Sequence, residues 1–272
     1  MHYKIKTLTR KILLRFGIYI SKIKPTSKEA LYNFLNTLRE NSRSFNLVRV
    51  GVAGDGGYLV PDDFRGIGAC FSPGVANSSK FEFQLASNYG IECFLADFSV
   101  NSPAESHCRF HFTKKFINSF NDEQNMRLDD WISQCEGRHG NGDFLLQMDV
   151  EGAEYPILQD FSEKNLAKVR ILVIEFHSFD KIFDRNEFAL VKQIFDKVLK
   201  YFYIVHIHPN NSGYISNRGC IEVPTVLEFT FLRRDRVKNH IELSFEKHPL
   251  DRPNAKCKPD LVLPKCWRKS AS

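Results

Sequence analysis

The strongest constraint on how this chain folds is a succession of short apolar runs of strand length, separated by segments with helical period. The runs lie at 67–72, 91–97, 109–113, 143–149, 170–176 and 202–207, and the helix-like segments near 77–89, 127–136, 154–167 and 186–201. The last of these is the clearest, with Phe188, Leu190, Val191, Ile194, Phe195, Val198 and Leu199 on one face. Continuous apolar strands alternating with amphipathic helices imply a mainly parallel sheet covered on both sides, because such strands have no polar face to show to water. A seventh run, 226–232, alternates and closes the series, as an edge or antiparallel strand does. The expectation is a doubly wound α/β sheet of about seven strands. A helix over about 27–41 precedes it, read from a capping box at Thr26 and Glu29 followed by apolar Leu31, Phe34, Leu35 and Leu38.

With 272 residues, 43% of them hydrophobic, and 24 Phe, the chain has core material for one large α/β domain and is not a disordered polymer. The net charge of +6 is unevenly placed. Residues 1–25 carry seven Lys/Arg and no acid, and 251–272 carry six bases against Asp251 and Asp260, which leaves an acidic body at about −5. An acidic body with two basic ends argues against a nucleic-acid partner, while the N-terminal basic segment suits peripheral contact with a membrane surface. That segment, interrupted by Arg15 and lacking a small-residue cleavage site, reads as neither a signal peptide nor a spanning helix. Seven Cys without a C-x-x-C pair argue for a reducing, cytoplasmic setting and against both a zinc site and a disulfide framework. The expected division is an N-terminal basic segment and helix over 1–45, a main domain over 46–235 and a C-terminal extension over 236–272.

In doubly wound sheets ligands sit beyond the carboxyl ends of the strands. The residues there are Ser72-Pro-Gly-Val75, Asp97-Phe98, Asp149-Val-Glu151-Gly152, Glu175-Phe-His177 and His206-Ile-His208-Pro-Asn210-Asn211. The turn at Ser72 and Gly74 lacks the G-x-G-x-x-G of a pyrophosphate site, which argues against a nicotinamide cofactor and fits a ligand with a carboxylate and a ribose better. Asp97 follows Gly74 by 23 residues, where a carboxylate accepts both ribose hydroxyls, or else caps a loop. Gly54-Asp55-Gly56-Gly57-Tyr58 reads as a tight hairpin whose Asp55 and Gly56 approach a ligand or simply turn the chain. His107 and His111 lie in a strand-like stretch, too far apart along it for one ion.

One block is more specific. Asp149-Val-Glu-Gly-Ala-Glu154, preceded by Phe-Leu-Leu-Gln-Met and followed by Pro-Ile-Leu, resembles the hallmark segment of the FkbM family of S-adenosylmethionine-dependent methyltransferases. Leu128-Asp-Asp-Trp-Ile132, Leu172-Val-Ile-Glu175 and Gly54-Asp-Gly-Gly-Tyr58 with Ser72-Pro-Gly-Val75 extend the likeness over roughly 47–235. The resemblance implies a class I methyltransferase Rossmann-like fold, S-adenosyl-L-methionine as cofactor, and O-methylation of a sugar or glycan precursor. A non-sugar small molecule as acceptor, or a non-catalytic S-adenosylmethionine-binding protein of this fold, are the alternatives. The cofactor-binding candidates are then Asp55, Gly56, Ser72, Gly74, Asp97, Phe98 and Asp149. A hydroxyl is a poor nucleophile until its proton is removed, so a base or a metal is needed. The catalytic candidates are His177, His208, Glu175 and Asp149. Asp149, Glu175 and His177 would also make a Mg²⁺ or Mn²⁺ site, and both readings stand. For Glu154 the expected role is stabilisation of the helix N-terminus.

Overall fold

The computed structural model describes residues 24–135, 137–138, 142–238 and 241–268. The basic N-terminal stretch, on which the expected membrane contact rests, lies almost wholly outside these residues. No described helix is long and apolar enough to cross a membrane.

Helix α1 (Lys28–Glu40) buries Leu31, Phe34, Leu35 and Leu38. Its cap is one residue later than the sequence pattern placed it. The Ser27 side chain accepts from the Ala30 amide at 3.1 Å, while the Thr26 hydroxyl donates to the carbonyl of Ile182 at 2.7 Å. An antiparallel hairpin follows, β1 (Leu47–Gly51) and β2 (Gly57–Pro61), with the glycine-rich turn between them.

The main sheet is then laid down by β3 (Ile67–Pro73), β4 (Glu92–Ala96), β5 (Phe110–Thr113), β8 (Asp143–Met148), β9 (Val169–Phe176), β10 (Phe202–Pro209) and β13 (Leu227–Arg233). Two small ribbons, β6 (Phe116–Asn118) with β7 (Asn125–Arg127) and β11 (Ile215–Arg218) with β12 (Ile221–Pro224), stand outside it. The connecting helices are α2 (Lys80–Tyr89), α3 (Leu128–Gln134), α4 (Glu154–Asp160), α5 (Glu163–Leu166) and α6 (Arg185–Tyr201). The segment expected as one helix over 154–167 is two. The chain breaks at Phe161, and Ser162 starts the second helix by accepting from the Asn165 amide.

The strand order is β10-β13-β9-β8-β3-β4-β5. All pairs are parallel except those of β13, which is antiparallel to both β9 and β10. This is the doubly wound 3-2-1-4-5-6 order with one antiparallel strand inserted before the last. The antiparallel reading of 226–232 is therefore right and the edge reading is not: β13 is interior, buried at every position but the last, and β10 is the edge.

The sheet separates two cores. On one face α1, α3, α4 and α6 pack with Phe71, Phe94, Leu146, Ile174 and Phe229 of the strands, and Phe34 meets Phe188 and Phe195 of α6 edge-on at 5.6 and 5.4 Å. On the other face the β1–β2 hairpin and α2 cover Cys70, Cys93, Leu145, Ile171 and Val173. Cys70 and Cys93 are fully buried, as small apolar side chains.

Candidate active site

Side chains alternate across a strand, so the residues sharing the hairpin's face can be followed along each one. On β8 Leu145 is followed by Gln147 and Asp149, and on β9 Ile171 and Val173 are followed by Glu175 and His177. The hairpin's core is thus apolar at one end of the sheet and polar at the end where the parallel strands finish. Register continues this polar row, since Glu175 on β9 pairs with Glu228 on β13, which pairs with His208 on β10.

A cleft opens at this end between the glycine-rich hairpin turn and the turn after β3. Its walls include Asp55, Gly56, Tyr58, Gly74, Glu82 and Asp149, with Gln147 at the base. Gly74 is fixed by close approach of backbone. At φ +84° a Cβ would lie 1.7 Å from the Asp149 carbonyl oxygen, so no other residue lets β3 and β8 end side by side. Gly56 has a positive φ of 75°, the turn's own demand. Among the described residues, three other than glycine also take left-handed backbone, Ala76, Glu151 and Ser178. Each lies just after a different one of three neighbouring strands, β3, β8 and β9. Such strained conformations persist only where surrounding structure holds them, and they concentrate at functional sites.

The other cofactor candidates, Ser72, Asp97 and Phe98, do not line this cleft. Ser72 is fully buried, 3.4 Å from the Cys70 sulfur. Asp97 Oδ2 accepts from the Ala76 amide at 2.9 Å, and Oδ1 accepts from the amide and hydroxyl of Ser99 at 2.7 and 2.6 Å. The carboxylate thereby locks the Gly74 turn to the end of β4 and keeps one lone pair on Oδ2. Phe98 meets Phe116 at 5.4 Å.

His177 is the centre of the catalytic candidates. Its Nδ1 lies 2.7 Å from Oε1 of Glu154, and its Nε2 faces Glu151, Glu175 and Asp149 at 3.5, 3.6 and 3.9 Å. Glu154 is completely buried and also accepts from the Gly152 amide at 3.0 Å. Its expected place at the start of α4 holds, but its principal partner is the imidazole. Burial alone lowers the His177 pKa; the Glu154 hydrogen bond and the charges of Glu154, Asp149 and Glu151 outweigh it and hold the ring above its ordinary value. Burial pushes Asp149 up to about 7. Burial, with Asp149 and Glu228 nearby, carries Glu175 well above the carboxylate range, opposed by the amide of Asn210, which donates to Oε1 at 2.8 Å.

His208 does not join this group. It lies on β10, two strands from Glu175, buried beside Asp251 of the C-terminal segment. His111 is paired with Glu92 at 2.9 Å, and His107 Nδ1 accepts from the Arg109 amide at 3.1 Å.

Residues 24–215 match the methyltransferase FkbM domain family. The chain belongs to the FkbM methyltransferase family. Its seven-stranded sheet with the single inserted antiparallel strand is the class I methyltransferase Rossmann-like fold. No curated protein matches the chain. Among solved structures it is similar to the delta-N METTL16 MTase domain, at 9% identity and a TM-score of 0.32, covering 84% of this chain and 94% of that one. It is also similar to a 16S rRNA (adenine(1408)-N(1))-methyltransferase from Catenulisporales acidiphilia, at 11% identity and a TM-score of 0.30, covering 68% and 98%. At these scores the two likenesses bear on neither acceptor nor mechanism.

An FkbM methyltransferase implies S-adenosylmethionine as methyl donor, a ligand with a carboxylate and two cationic groups, a sulfonium and an ammonium, and it is the cationic groups that an acidic wall favours. The cleft suits it, for its wall carries the carboxyl groups of Asp55, Glu82 and Asp149 and neither Lys nor Arg. The same lining disfavours a pyrophosphate. Glu82 is pushed up to about 7 by burial, against the opposing Ser72 hydroxyl.

Glu228 and Asn254 were not among the sequence candidates. Burial raises Glu228, and Asn254 Nδ2 donates to it at 2.6 Å and reaches Asp55 at 3.4 Å. Asn254 belongs to an extended segment without periodicity, so no local pattern marks it.

Proposed function

We propose that the protein is an S-adenosylmethionine-dependent O-methyltransferase acting on a hydroxyl of a sugar or glycan precursor, with His177 as the base. The observation that carries this reading is the His177 cage. One ring nitrogen is tied to a buried carboxylate, the other faces Glu151, Glu175 and Asp149, and Asp149 is shared with the cofactor cleft. Bound in that cleft, S-adenosylmethionine supplies an electrophilic methyl group on sulfur. The chain's part is then to position an acceptor oxygen in line with it and remove a proton. Nε2 of His177 takes the proton, and Glu154 steadies the imidazolium that results. The surrounding groups, carboxylates together with the carboxamides of Asn210 and Asn254, match the hydroxyls of a polyol.

A second reading is favoured by one observation. Asp149 Oδ1, Glu154 Oε2 and Glu175 Oε2 are buried without a hydrogen-bond partner. Asp149, Glu151 and His177 also bring one donor atom each within 4.8 Å of the others. This oxygen-rich set suits Mg²⁺ or Mn²⁺, which would polarise the acceptor hydroxyl there.

Calorimetric titration with S-adenosylhomocysteine and with NAD, each with and without EDTA, followed by methyl transfer from labelled S-adenosylmethionine to nucleotide sugars, glycans and non-sugar hydroxy compounds, tests both readings. Binding of S-adenosylhomocysteine alone and labelling of a sugar hydroxyl is the expected result. EDTA-sensitive turnover that Mg²⁺ or Mn²⁺ restores and Zn²⁺ does not selects the metal reading; labelling confined to non-sugar acceptors, or no labelling, overturns the proposal.

A further inference from the structure

Among the described residues, a second concentration of metal-ligating side chains lies outside the His177 cage. We propose that His206, His208 and Asp251 form a binding site for a divalent transition metal of the zinc type, which fastens the C-terminal segment to the edge strand. The proposal stands independently of the methyl acceptor.

The first observation is a β-bulge. Pairing of β10 with β13 shifts between Ile204 and His206. Phe202 and Ile204 face the helix-side core, so unbroken alternation would send His206 and His208 there too. The bulge turns both rings to the opposite, polar face, where His206 stands opposite Thr230 and His208 opposite Glu228. The two rings are nearly parallel, at 13° and 6.3 Å between centroids.

The second observation is what meets them. Asp251 comes from the segment beyond the family match and places Oδ1 2.9 Å from His206 Nε2 and 3.6 Å from His208 Nδ1. All three residues are at most 6% exposed, and one donor atom from each lies within 4.8 Å of the others. Zinc–ligand bonds of about 2.0–2.1 Å in a tetrahedron put ligand atoms roughly 3.3 Å apart, a value the two measured distances bracket. The Oδ2 of Asp251 is already oriented, accepting from the His248 amide at 2.8 Å. Nε2 of His208 is buried without a hydrogen-bond partner. A ring that ligates through Nδ1 carries its proton on Nε2, and the register partner of His208 on β13 is Glu228. Two imidazoles and one carboxylate select zinc and its neighbours over magnesium or calcium. The absence of C-x-x-C pairs has no bearing on such a site. Held there, Asp251 keeps Asn254 beside Glu228 and Asp55, at the rim of the cleft.

The test is elemental analysis of the full chain, purified without a metal-affinity step, followed by chelator-competition titration with Zn²⁺ and X-ray absorption at the zinc edge. The expected result is about one metal per chain, with two imidazoles in its coordination shell. The cage at His177 offers only one imidazole, so the spectrum separates the two sites. His208→Ala and Asp251→Asn should each lose this metal while His177→Ala keeps it. If these variants do not fold, the wild-type spectrum decides alone. A chain that takes up no Zn²⁺, a one-imidazole spectrum, or full metal content in His208→Ala overturns the proposal and leaves the cluster as a hydrogen-bonded clamp.

Discussion

Glu154→Gln is the sharpest perturbation of the His177 cage, because it removes one charge and almost no volume. Glu154 is completely buried, with Oε1 2.7 Å from His177 Nδ1 and 3.0 Å from the Gly152 amide. A glutamine oxygen still accepts from both, so geometry is kept and electrostatics change. A charge-assisted hydrogen bond stabilises by about 1.5–3 kcal/mol against roughly 1 for a neutral one. The smaller end of that difference sets a lower bound of about 0.5 kcal/mol on the lost preference for imidazolium. Two unit charges about 4 Å apart at an effective dielectric constant near 20 give about 4 kcal/mol as the upper bound. At 1.36 kcal/mol per pH unit, the His177 midpoint should fall by roughly 0.4 to 3 pH units. The sign follows from the ring being held above its ordinary value in the wild type. Nitrogen-detected NMR titration of the nine histidines, with His177→Ala for assignment, reads the midpoint without any acceptor. Affinity for S-adenosylhomocysteine should change little, since Glu154 is not part of the cleft wall. An unchanged midpoint would refute the argument that Glu154 governs the protonation of His177.

Gly74→Ala should lower S-adenosylhomocysteine affinity at least tenfold in calorimetry and lower Tm, by about 2–4 °C per kcal/mol for a domain of this size. The reason is the 1.7 Å approach to the Asp149 carbonyl, and wild-type values for both would mean the turn has another shape. The ligand-free protein should also lose stability between pH 5 and pH 8. Asp149 and Glu82 titrate near 7 in the fold and Glu175 and Glu228 are raised, so the folded state binds more protons than the unfolded chain across that window. The contributions of His177 and His208, both raised, are complete below the ordinary imidazole value of 6.5 and are lost as pH rises through their folded values. His206, lowered by burial, opposes them. Asp143 and Asp251 are lowered, so their contribution is complete above the ordinary carboxyl range and is lost only in acid. Urea unfolding at pH 5.5 and pH 8 measures the difference, and greater stability at pH 8 would contradict this balance.

What the sequence made legible, and what it did not, divides along a physical line. Strand-length apolar runs located all seven strands of the main sheet, because a strand buried on both faces leaves few other choices of composition. The strand-end rule then put Asp149, Glu175 and His177 together, since adjacent parallel strands end side by side. Glu154 reached His177 by the same geometry, but 23 residues of separation hid the pair from any local pattern. The alternation over 226–232 fits an edge strand and an interior antiparallel strand alike, because it reports which side chains are polar. It does not report whether a second strand lies beyond, and on β13 the polar residues Glu228 and Thr230 face a buried polar row. Most opaque was the bulge after Ile204. Alternation carried from Phe202 assigns His206 and His208 to the helix side, and a single extra residue reverses both. Asp251 and Asn254, in a segment with no period at all, are placed by what they meet rather than by their neighbours in sequence. A site assembled from a bulge and an extended tail is therefore written in long-range contacts, which is why His208, taken from sequence as a catalytic candidate, belongs in the fold to a different cluster from His177.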